Sequence, residues 1–137
     1  ELLTALAREF RPSAVIAVDA LAARSLGRLG CTIQLSTGGI SPGSGVNNAR
    51  PQLSRETLGV PVIGIDVPTV VDAGTLAADL LGRAAPKDKV SPRGASMVVT
   101  PREIDLLITR AARMVAMAIN TALNPTLSVE EFSILAS

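Results

Sequence analysis

Residues 15–25 read VIAVDALAARS. A short apolar run, Ala14 to Val18, meets a carboxylate at Asp19 and gives way to an alanine-rich stretch with Arg24 and Arg28 one helical turn apart. An unbroken apolar run of this length predicts a strand covered on both faces. The Ala and Leu content of 20–28 predicts a short helix ending near Gly27 or Gly30. The plan returns at residues 60–67, VPVIGIDV, where Asp66 follows the apolar run and Pro68 opens the helical pattern PTVVDAGTLAADLLG, closed by Gly82. With a further strand at CTIQL (31–35), this alternation predicts an α/β chain: a three-layer fold with a mostly parallel sheet and helices on both faces. In such sheets ligands gather outside the carboxyl ends of the strands, so both aspartates become site candidates.

Working outward, ELLTALAREF (1–10) has helical spacing and stops at Pro12. Residues 36–50, STGGISPGSGVNNAR, break all periodicity and predict a long shaped loop. SRETLG (54–59) predicts one helical turn with Ser54 as cap and Thr57 three residues on. Residues 84–96 read as a flexible connection. The longest helix is expected at 100–124, capped by Thr100, with Pro101 in its first turn and Pro125 at its end. A last short helix is expected near 127–136. Residues 1–137 are expected to form a single α/β domain, and a start on Glu1 inside a helical pattern points to a longer parent protein.

Composition narrows the chemistry. The chain has 137 residues, 47% hydrophobic, with a net charge of +1. That charge gives no electrostatic case for direct nucleic-acid binding. Two Phe and no Trp or Tyr leave no stacking platform. The single cysteine, Cys31, forms no internal disulfide, and a reducing compartment is the simpler expectation. The sequence has no His, which removes Ser-His and Cys-His nucleophiles and imidazole metal ligation. Carboxylates, hydroxyls, Lys, Arg and backbone groups remain; no metal or cofactor is expected. No unbroken apolar run reaches the roughly 18 residues of a membrane span, so no membrane contact is expected.

Each candidate has a plain structural reading beside its functional one. Asp19 and Asp66 could be helix N-caps, whose carboxylates accept backbone N–H groups of the next turn. Asp72 could be a solvated charge favourable to its helix dipole, or a carboxylate close to the strand ends. Gly43, Ser44 and Gly45 could let the backbone approach a peptide or anion, or simply permit a tight turn. No Gly-Lys-Ser/Thr follows them, so the loop is not a P-loop.

Four blocks, VIAVDALAARS, PGSGVNNAR, LSRETLGVPVIGIDVPTVVDA and MVVTPREIDLLITRAA, occur here in order. Together they resemble the germination protease family, spore endopeptidases that degrade small acid-soluble spore proteins. The resemblance runs from about Arg11 to Asn124 and makes this chain the carboxyl-terminal part of such an enzyme, expected to be inactive in isolation. It implies a fold similar to the hydrogenase-maturation proteases, a zymogen, a cytoplasmic location in the spore or forespore and a tetramer. It also implies catalysis by paired aspartates: Asp19 falls on one, and the other belongs to an upstream TPDALGP-like segment that this sequence does not contain. Asp66, where the family often has Gly, and Asp72 are candidates for a second carboxylate. Arg24 and Arg50 match family arginines and are expected to bind acidic side chains of the substrate. A shared proton would let one carboxylate activate water while its partner donates to the carbonyl or the leaving amine. Two other classes stand beside this: a non-catalytic module binding a peptide or anion at the glycine loop, and an assembly element using the apolar helix at 111–119.

Overall fold

The computed structural model describes residues 2–43, 50–82 and 92–135. They fall into two compact units, Glu1–Arg102 and Glu103–Ser137.

The first unit is α/β, as expected, and is built around a strand longer than its sequence suggests. β3 spans Val62–Asp72. β1, Val15–Ala23, lies parallel to it, in register from Val15 opposite Val62 to Ala23 opposite Val71. β2, Gln34–Ser36, and β4, Val98–Val99, both pair antiparallel with β3. The sheet is therefore mixed: parallel along the nine residues of β1, antiparallel along the three of β2 and the two of β4.

Three local expectations are corrected. The helix expected at 20–28 is replaced by the second half of β1 and a single 3-10 turn, Leu26–Arg28. Alanine's helix preference is a weak prior, and pairing along β3 overrides it. The helix expected from Pro68 starts only at Ala73, as α3, Ala73–Leu81. Pro68 sits inside β3 beside a bulge, where the register passes from Leu21–Pro68 to Ala22–Val70 and leaves Thr69 unmatched. A bulge tolerates a residue that cannot donate to the ladder. The backbone oxygens there find other donors: Gly30 N–H reaches Pro68 at 2.8 Å, and the Thr100 hydroxyl reaches Thr69 at 2.9 Å. Thr100 is thus a sheet contact, and the long helix opens later, with Glu103 at its N-cap position and no side-chain cap bond.

Other elements stand where the sequence put them. α1 is Leu2–Phe10, and α2 is Arg55–Leu58 with its Ser54/Thr57 capping box. α3 ends on Gly82 at φ 63, a left-handed position that glycine takes without strain. Of the 84–96 connection, residues 84–91 lie outside the described residues, and Pro92–Ala95 form a single turn, α4.

Side chains alternate across a strand, so the register puts Val15, Ala17, Asp19 and Leu21 on the same sheet face as Val62, Gly64, Asp66 and Pro68. The amino-terminal half of that face is the core: Ala17 and Val62 pack with Ala7 of α1, Leu58 of α2 and Ile40 of the loop. Further along the strands the face turns polar at Asp19 and Asp66.

The second unit is helical: α5, Ile104–Leu123, followed by α6, Val129–Leu135. Ser128 and Glu131 cap α6 reciprocally: Ser128 N–H donates to the Glu131 carboxylate, and Glu131 N–H to the Ser128 hydroxyl. By length and composition α5 is apolar enough to cross a membrane. The unbroken-run criterion passes over it because Arg110 and Arg113 interrupt the apolar sequence.

Candidate functional site

Asp19 and Asp66 are register partners on adjacent parallel strands. Their backbones therefore lie about 4.8 Å apart, with both side chains on one face. Neither caps a helix, since each sits inside a strand; the capping explanation of both carboxylates is overturned. One Asp19 oxygen is held locally, Oδ1 accepting the Ala20 N–H at 2.9 Å.

A cavity of about 150 Å³ opens over the pair, lined by Asp19, Ala20, Leu21, Gly39, Ile40, Ser41, Gly43 and Asp66. Its far wall is the start of the glycine loop. Ile40 is held there by a two-way backbone bridge to Leu53, each N–H donating to the other's carbonyl at 2.9 Å. Gly39, at φ 88, passes so close to the Leu53 carbonyl that a Cβ would overlap it. The described start of the loop thus borders the same cleft as Asp19, although β2 runs antiparallel and the loop leaves its end on the Gly64 side. Gly43 is among the lining residues, whereas Ser44 and Gly45 lie outside the described residues.

The electrostatics follow from the geometry. Partial burial, and after it the neighbouring Asp19 carboxylate, push the Asp66 carboxyl above its ordinary value. The other lining side chains named above carry no charge.

The remaining candidates stand elsewhere. Asp72 is the N-cap of α3, its Oδ1 accepting the Thr75 N–H at 2.8 Å. It is six residues beyond Asp66 along β3, roughly 20 Å at the rise of a strand, and is not a cavity residue. Arg24 is exposed just past the end of β1. Arg50 is exposed, and its N–H donates to the Pro42 carbonyl at 3.0 Å, which puts its backbone next to the lining residue Gly43. Neither arginine lines the cavity. Sequence reasoning expected the loop at 37–48 to border the cleft but singled out Gly43, Ser44 and Gly45 rather than Ile40 and Ser41. The signal available was Gly64, a lone glycine inside an apolar strand, which marks a close approach by another chain segment. Among the described residues no group of three or more His, Cys, Asp or Glu side chains could hold a metal ion.

Residues 1–84 match a protein family described as germination protease. Among curated relatives, the germination protease of Caldanaerobacter subterraneus subsp. tengcongensis is 42% identical, over 97% of this chain and 50% of that protein. That of Clostridium acetobutylicum is 36% identical over 97% of this chain and 49% of its own length, and that of Bacillus velezensis 36% over 93% and 50%. The chain spans about half the length of the curated relatives it matches.

Proposed function

The chain belongs to the germination protease family, and from that premise we propose that the full-length protein is an endopeptidase that degrades small acid-soluble spore proteins, with Asp19 as a catalytic carboxylate. The observation that carries this is the position of Asp19: half-buried, on an inward sheet face, in a cavity walled by the glycine loop. The ionised carboxylate takes a proton from water as its oxygen attacks the peptide carbonyl carbon. A protonated partner carboxylate donates to the carbonyl oxygen, and the scissile C–N bond breaks as the amine takes up a proton. The cavity is below the roughly 300 Å³ usual for small-molecule sites, a size suited to one side chain or one peptide unit of an extended substrate. Arg24 and Arg50, both exposed, bind acidic side chains of that substrate beyond the cavity. Zymogen processing, an oligomer and a cytoplasmic location in the spore belong to the same reading.

The alternative is a non-catalytic peptide- or anion-binding module; the two carboxylates on the cavity wall repel an anion and leave peptide binding as its stronger form. The test is digestion of a purified small acid-soluble spore protein by the full-length protein and its Asp19→Asn variant. Cleavage by the wild type alone supports the proposal; equal cleavage by both removes Asp19 from the mechanism.

A further inference from the structure

We propose that Asp66 is a positioning residue for Asp19, the two carboxyl groups sharing one proton across the β1–β3 ladder. The geometry leaves the pair little choice. They are exact register partners, so their side chains leave the sheet from adjacent points in the same direction. Both face the same small cavity. Two carboxylates held at this range in a partly desolvated site repel strongly, and the second ionisation is resisted.

Among the described residues, no other charged side chain lines the cavity to relieve the repulsion. The loop wall supplies Gly39, Ile40, Ser41 and Gly43, and β1 supplies Ala20 and Leu21 besides Asp19. From β2 the register partner of Asp66 is Gln34, which carries no charge. The proton resides on Asp66 rather than Asp19 for two reasons. Asp19 Oδ1 is already occupied by the Ala20 N–H, whereas no bonded backbone donor to Asp66 appears among the hydrogen bonds of the described residues, which leaves both Asp66 oxygens open to carry the proton. The upward displacement of the Asp66 carboxyl, with burial as its larger cause and Asp19 as the smaller, runs in the same direction. Asp66 then acts through Asp19: its proton bridges the pair and keeps the ionised oxygens of Asp19 turned to the cavity. The role in cleavage rests on the proposed function; the proton sharing does not.

The experiment is a pH titration of side-chain carboxyl ¹³C signals in the full-length protein labelled at aspartate, in the wild type, Asp19→Asn and Asp66→Asn. The signal absent from Asp66→Asn identifies Asp66. Its midpoint is expected above the ordinary carboxylate value in the wild type and lower, though still raised by burial, in Asp19→Asn. An unchanged midpoint overturns the sharing. The second readout is the pH profile of kcat/KM for cleavage. The wild type loses rate as pH rises through the Asp66 transition; Asp66→Asn, which has no proton to lose there, lacks that limb while keeping measurable activity. Superimposable profiles overturn the positioning role even where the midpoint moves. Amide spectra of each variant verify the fold, and a wild type that cleaves nothing counts against the proposed function while the titration still decides the sharing.

Discussion

Gly64 lies directly beneath Ile40: a Cβ built on Gly64 would stand 2.5 Å from Ile40 Cγ2 and 2.7 Å from Ser36 Oγ. The strand is bare there so that the loop can seat Ile40, the one buried apolar side chain among its described residues, on the sheet next to Asp66. Gly64→Ala is therefore expected to destabilise the protein by about 1–3 kcal/mol, the usual cost of overpacking a filled site. It should also lower cleavage, because Ile40 can give way only by moving the cavity wall. The urea midpoint and the rate are the measurements; an unchanged midpoint would mean that the loop yields freely.

Asp72 offers the opposite case, a carboxylate with a structural duty and no place in the cavity. Asp72→Ala is expected to cost about 1 kcal/mol through loss of the α3 cap. Asp72→Asn should cost less, since its Oδ1 still accepts the Thr75 N–H. Cleavage at a temperature where both variants are folded is expected to match the wild type. A rate loss in Asp72→Asn would return Asp72 to the site.

For Asp19→Asn, rate and stability are expected to part. The amide oxygen can still accept the Ala20 N–H, and the repulsion with Asp66 disappears, so the thermal midpoint should hold or rise slightly. Cleavage should fall on the order of 10²–10⁴-fold, the range for loss of a general base. A variant that unfolds early would assign Asp19 a structural role instead.

Asp66 also sets a pH dependence of stability. Its carboxyl is raised in the folded protein, so the folded state holds this proton more tightly than the unfolded chain does. Its contribution favours folding at acid pH and is lost as pH rises from the ordinary value of about 3.9 through the raised folded value. Asp66→Asn removes that loss. Relative to the wild type, the variant should gain stability across this window and keep a constant advantage above it. Parallel denaturant titrations at several pH values provide the measurement, and a difference independent of pH would contradict it.

The sequence made the elements on local signals legible and misjudged those fixed by distant partners. Ser54 with Thr57, the glycine stop at Gly82 and the α1 periodicity are short-range, and all three hold. The second halves of β1 and β3 were misread because Ala20–Ala23 favour a helix and Pro68 is a good first helical residue. Both preferences yield to nine residues of interstrand pairing and a bulge that accommodates the proline. The same error hid the main fact about the site. Asp66 stood beside Asp72 as a candidate second carboxylate, but with the strands ending at Asp19 and Asp66 nothing in the sequence chose between the two, because register is set by the pairing of strands more than forty residues apart in sequence.

The three other described strands all pair with β3, and this has a kinetic consequence. Each ladder must close a loop before any of its bonds form, and the longest closures are those that join β1 to β3. Helices such as α5 form on neighbours three and four residues away and need no such search. After dilution from denaturant, far-ultraviolet ellipticity from helices should therefore recover before protection of the β3 amides. Since Asp19 meets Asp66 only when β1 zips onto β3, the cleavage proposed for the full-length protein should be the slowest signal to return on its refolding, trailing the helical signal and coinciding with the last sheet protection.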